Sequence, residues 1–138
     1  MQTDSAGLAF IAENEGLKLT VYDDNGKQAI GYGHDLLPAE SFPDGITQPE
    51  ALALLQSDLQ PIDVALASLV AADCTHGQWN ALADFAYNLG IGSLKQMLSH
   101  GWDQVPAQIP LWNHVNHVVS AGLTARREAE VALFTAVE

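Results

Sequence analysis

Apolar and polar positions alternate with two different periods along this chain. From Thr3 or Ser5 onward, Leu8, Ile11 and Ala12 recur at helical spacing and Gly16 follows as a natural stop. This predicts a short helix whose last turn carries Glu15. The period then shortens: Leu17, Leu19 and Val21 alternate with polar residues, Asp23 to Lys27 carry turn chemistry around Asn25-Gly26, and Ala29 to His34 reads as a returning strand. A small hairpin is expected, with a third strand from the segment after His34. Gly31 and Gly33 suit a tightly bent strand or a close backbone approach.

Helical spacing returns after the Pro- and Gly-containing loop 37–45. Thr47-Gln48-Pro49-Glu50 has the form of a capping box with proline in the first turn, and Leu52, Leu55, Leu59 and Ile62 continue a stripe from it. Pro61 lacks an amide donor and crowds the Ser57 carbonyl, which predicts a break near Gln60 and two helices, about 48–59 and 62–71. Thr75 to Gln78 repeats the capping box. Trp79, Leu82, Phe85, Ala86 and Leu89 follow on one face before Gly90, marking a central buried helix. Shorter helices are expected from Ser93 and near Asp103. A last one is expected from about Thr124 to Ala136, with Val131, Phe134 and Val137 turned partly inward and Arg127, Glu128 and Glu130 on its polar face. No repeat or linker interrupts the pattern, so residues 1–138 read as one α+β domain dominated by helices.

Composition narrows the classes of partner. The 138 residues are 48% hydrophobic, enough for one core, and 5 basic against 17 acidic side chains give a net charge of −12. Such a chain repels phosphate backbones and anionic bilayers, which argues against nucleic acid and membrane surfaces. Cys74 stands alone, so no internal disulfide can form, and it reads as a small buried hydrophobe. Met1 to Phe10 has neither the basic start nor the apolar run of a signal peptide, so synthesis in the cytoplasm is expected, without membrane insertion. His114 and His117, three apart, could share a helix face, yet no third ligand stands at a convincing spacing, so no metal and no cofactor are expected. With no apolar stripe left over, a monomer is the expected state.

Candidate chemistry centres on Glu15 and Asp24, one ending a helix and the other at a hairpin turn. Two carboxyls facing one cleft from different elements suit glycoside hydrolysis: one protonates the leaving oxygen and the other, ionised, serves the opposite face of the sugar. Spacing alone favours the plainer case, since two acids nine apart are common and helix-end glutamates are usually solvated. The run Glu15-Gly16-Leu17-Lys18-Leu19-Thr20-Val21-Tyr22-Asp23-Asp24, followed by Ile30-Gly31-Tyr32-Gly33-His34, closely resembles the start of phage-type lysozymes, glycoside hydrolase family 24. Gln78 to Gly90 is similar to that family's central helix. Trp112-Asn113, Gly122 to Glu130, and Leu133-Phe134 look like its C-terminal signature.

The resemblance implies a lysozyme-like fold, with a small N-terminal β-hairpin lobe at about 16–45, a larger helical lobe and a cleft between them. It implies Glu15 as general acid and Asp24 as base or electrostatic stabiliser. Arg126 matches an arginine beside the acid, and His34 with Asp58 matches a pair tying the hairpin to a helix. Tyr32 and Gln28 are the expected substrate contacts. The implied partner is bacterial peptidoglycan, cut between N-acetylmuramic acid and N-acetylglucosamine after release of the protein from the host cytoplasm. One departure stands out. The family's pattern after the second carboxylate has five residues and then a threonine that positions water, whereas here four residues lead to Ala29, which has no hydroxyl. A catalytically silent wall-binding or assembly module and a lytic transglycosylase therefore stand as alternatives, and the acidic surface removes long-range attraction to an anionic wall.

Overall fold

In the computed structural model, which describes all residues 1–138, the chain begins with helix α1, Ser5–Glu15. Its N-cap is Asp4, whose carboxylate accepts from the Gly7 amide at 3.0 Å, and Gly16 ends it at φ 74°. Three antiparallel strands follow in the order β1–β2–β3: Lys18–Asp24, Lys27–Gly31 and His34–Asp35. Asp24 pairs with Lys27, and the two residues between them, Asn25 and Gly26, both have positive φ (52° and 89°). That is the twist a tight two-residue hairpin requires.

Helix α2 runs unbroken from Gln48 to Leu69, closed at its start by the reciprocal Thr47–Glu50 capping box. The expected break at Gln60 does not occur. Pro61, Gln60 and Ser57 all lie on the exposed side, so the bond that proline deletes is lost where solvent can take its place. Helix α3, His76–Leu89, carries the second capping box and is buried on nearly every side, packed by α1, α2 and α6 and by α4, Ile91–Leu98. Gly77 permits that packing, since a Cβ there would lie 2.7 Å from the Leu133 carbonyl of α6. Helix α4 follows Gly90 directly rather than starting at Ser93.

Short turns of 3-10 helix flank α5, Val105–Gln108. A second hairpin, β4 His114–Val115 and β5 Val118–Val119, then leads into α6, Ala121–Thr135. The helical placement of His114 and His117 is corrected: His114 sits in a strand, and His117, at φ 68°, sits in the turn. Val115, Val118 and Val119 on this hairpin are exposed, an apolar face that the sequence pattern did not reveal. Val137 lies beyond α6 and is 98% exposed rather than turned inward. The core sits around α3, with Leu8, Ile11, Leu55, Leu59, Leu82, Phe85, Leu94, Met97 and Phe134 buried against one another, and Cys74 is buried at its edge. No helix is long and apolar enough to cross a membrane.

Candidate active site

A cleft of about 510 Å³ opens where the first sheet meets the helices, with Glu15 and Tyr87 on one wall and Tyr22 and Asp24 on the other. Glu15 is the last residue of α1, and its side chain is 20% exposed. Its carboxylate lies 3.0 Å from Arg126 Nη2 of α6. Arg126 is held in turn by Asp84 of α3, donating from Nε to Oδ2 at 3.0 Å and from Nη2 to Oδ1 at 2.8 Å, and Asp84 is fully buried. Burial raises the Glu15 carboxyl above the ordinary carboxylate range; Arg126 opposes the rise, and the charges of Asp84 and Asp24 add to it. Gly33 brings bare backbone to this carboxyl: a Cβ there would stand 3.1 Å from Glu15 Oε2.

The strand period decides which of two consecutive aspartates serves the opposite wall. Tyr22 and Asp24 share a face of β1 and both line the cleft, while Asp23 turns away and accepts from the Gly26 amide. Ala29 pairs with Tyr22 on one side and with Asp35 on the other, so it belongs to the cleft face of the sheet, yet it is fully buried beneath its neighbours.

His34 ties the sheet to α2. Its Nδ1 lies 2.7 Å from Asp58 Oδ2 and its Nε2 2.7 Å from Glu40 Oε1. Both ring nitrogens face carboxylates, the arrangement that suits the doubly protonated ring. Burial pulls the imidazole down, but its hydrogen bonds to Glu40 and Asp58 outweigh this and leave it raised. Glu40 is lowered, first by the Leu37 amide it accepts and then by His34, whereas burial raises Asp58.

Glu15, Asp24, Arg126, His34 and Asp58 thus gather at or beside one cleft, and two other expected residues do not. Tyr32 is 8% exposed: its hydroxyl accepts from Gln48 Nε2 at 3.2 Å and its carbonyl accepts from the Tyr87 hydroxyl at 2.6 Å. It supports the cleft from beneath, and Tyr22 and Tyr87 are the aromatics that face it. Gln28 pairs with Asp23 and lines a separate hollow on the opposite side of the sheet, with Glu40 and Phe42. One residue of register separates it from the cleft.

Arg127 and Glu130 also differ from expectation. Both are fully buried, not on the polar face of α6. Arg127 Nη2 donates to Glu130 Oε2 at 2.9 Å and to Asn88 Oδ1 at 2.8 Å. Burial raises the Glu130 carboxyl, with Asp84 adding to the rise and Arg127 opposing it. Sequence reasoning missed Asp84, Tyr87, Asn88 and Glu40. The available signal for Asp84 was an acid embedded among the apolar residues of the central helix, where an unpaired charge could not persist.

The small sheet, the helical body and the cleft between them make a lysozyme-like α+β fold. Residues 12–130 match the phage lysozyme family, and the chain belongs to that family. It is 34% identical to an endolysin of Bacillus phage PZA over 97% of this chain and 55% of that protein. It is 31% identical to the endolysin of Salmonella phage P22 over 97% of this chain and 98% of that protein. The chain spans about half the length of the Bacillus phage endolysins it matches. Among solved structures, the muramidase domain of SpmX from Asticaccaulis excentricus superposes with a TM-score of 0.85 at 29% identity, covering 99% of both chains. A P22 lysozyme mutant does so at 0.82 and 27% identity, also over 99% of both.

Proposed function

We propose that this domain is a peptidoglycan-cleaving muramidase in which Glu15 is the general acid and Asp24 the base or electrostatic stabiliser. The observation that carries the reading is Glu15 itself, a half-buried carboxyl raised by its surroundings and held by a guanidinium that Asp84 fixes in place. A carboxyl whose proton is held more tightly than usual can give it to the glycosidic oxygen between N-acetylmuramic acid and N-acetylglucosamine as the bond breaks. Asp24, exposed at the hairpin tip, offers its carboxylate from the opposite wall, to stabilise the cationic sugar or to accept a proton from the attacking water. Arg126 keeps Glu15 aimed at the leaving oxygen. Similarity to phage endolysins supports action on the bacterial wall after release from the cell that makes the protein.

Ala29 favours a second reading. It offers no hydroxyl to a water, and its methyl is buried, so a wall-binding module without turnover would also fit this sheet. Mass spectrometry of fragments released from purified peptidoglycan, with Glu15→Gln alongside, separates the two. Reducing muramic acid ends that vanish in the variant support the muramidase. Anhydro ends indicate a transglycosylase, and wall binding without release supports the silent module.

A further inference from the structure

Asn88, next to last in α3, lines the cleft beside Tyr87 and Glu15, and the chemistry above gives it no part. Its amide has one possible orientation. A guanidinium carries donors only, so the atom that meets Arg127 Nη2 at 2.8 Å is the amide oxygen. Arg127 cannot swing away: it is fully buried, its Nη2 also donates to Glu130, its Nη1 donates to the Trp112 carbonyl at 3.4 Å, and its guanidinium lies 5.1 Å from the Phe85 ring centre. The amide nitrogen, by contrast, makes no bond within the protein and is not sealed from solvent. A buried ion pair is seldom the most stable filling for a helix interface, so a pair kept there to hold one amide suggests that the amide matters.

We propose that Asn88 is a substrate-contact residue whose Nδ2 donates to the acetamido carbonyl oxygen of an N-acetylhexosamine unit, with Arg127 and Glu130 as its positioning residues. This rests on the wall-glycan reading above and names the group recognised. Charge selects the acceptor: Asp24 and Asp35 line the cleft with no cation bonded to either, so a neutral carbonyl is admitted where a further carboxylate is repelled. The locked amide loses little freedom on binding, which lets a single hydrogen bond count.

The test uses isotope-labelled Glu15→Gln protein, chosen to suppress turnover, titrated with tetra-N-acetylchitotetraose and followed by NMR. The side-chain amide signals of Asn88 should shift to saturation with the rest of the cleft. Asn88→Asp retains an oxygen for Arg127 but replaces the donor with an acceptor. It should weaken binding roughly tenfold, the worth of one hydrogen bond, with an unchanged melting temperature. An Asn88 amide that stays unshifted at saturation overturns the proposal, as does equal affinity in the variant or no binding of the tetramer to the parent protein. Wall digestion by protein with Glu15 intact tests the enzymatic reading separately: absent turnover with the Asn88-dependent binding retained removes the muramidase and leaves the contact standing.

Discussion

The two walls of the cleft are built in opposite ways. On the helical wall Glu15 is half-buried, Arg126 is nearly sealed and Asp84 is fully so, each bonded to the next. Two consecutive arginines divide that wall between them, Arg126 holding Glu15 and Arg127 holding Asn88. On the hairpin wall Asp24 is exposed at the end of a strand, beside a two-residue turn, over an alanine with nothing to donate. A charge buried in low dielectric must be paired from several directions, so the proposed acid rests on groups, Asp84 above all, that also hold the helices together. A charge in water needs no such support, since solvent serves in place of partners.

The comparison can be broken by experiment. Glu15→Gln should lower glycan cleavage by roughly 10²- to 10⁴-fold, the usual worth of a general acid, while a melting curve moves little because the amide can still accept from Arg126. A large fall in melting temperature would show that Glu15 is chiefly structural. Asp84→Ala should do what Glu15→Gln does not: leave a buried guanidinium short of its partner and cost about 3–5 kcal/mol in urea denaturation. It should also bring the Glu15 carboxyl down, since Arg126 would answer to Glu15 alone, and so move the alkaline limb of the pH–rate profile to lower pH. An unchanged limb would detach Asp84 from the chemistry.

Asp24→Asn sharpens the contrast from the other wall. Activity should fall by roughly 10- to 100-fold as the ionised partner is lost, with stability unchanged to within about 0.5 kcal/mol, as for other exposed sites. Equal stability losses for Asp24→Asn and Asp84→Ala would erase the distinction between the walls.

The smallest effect concerns the joint between sheet and α2. His34 is raised above its ordinary value, so its contribution to stability is complete below that value and is lost as pH rises through the higher folded one. Glu40 is depressed, so its contribution is present above its ordinary value and fades as pH falls through the lowered one. Stability should therefore be greatest between these limbs, and His34→Gln should flatten the alkaline one in a series of thermal melts. An unaltered slope in the variant would assign the alkaline loss to another group.

Period and punctuation carried most of the fold. The helix ending on Glu15, the Asn25-Gly26 turn and both capping boxes follow from local geometry, because caps, turns and strand alternation are decided within a few residues. That Glu15, Asp24, Arg126 and the His34–Asp58 pair would meet at or beside one cleft was legible because their motifs lie in segments whose form is local. What local pattern could not decide was which side of an element would be covered. Pro61 was read as a break because its exposure was unknown, and exposure let α2 continue. Tyr32 and Gln28 stood in the right hairpin, but one was taken up as support beneath the cleft and the other turned to the far face by the strand's two-residue period. Arg127 and Glu130 looked like an ordinary polar helix face until α3 was laid over them. The sequence by itself determined most of the elements and singled out the residues proposed as acid, base and clamp. Only the tertiary structure decided that Asp84, Tyr87 and Asn88 complete the cleft, since burial and charge pairing between α3 and α6 depend on contacts about forty residues apart along the chain.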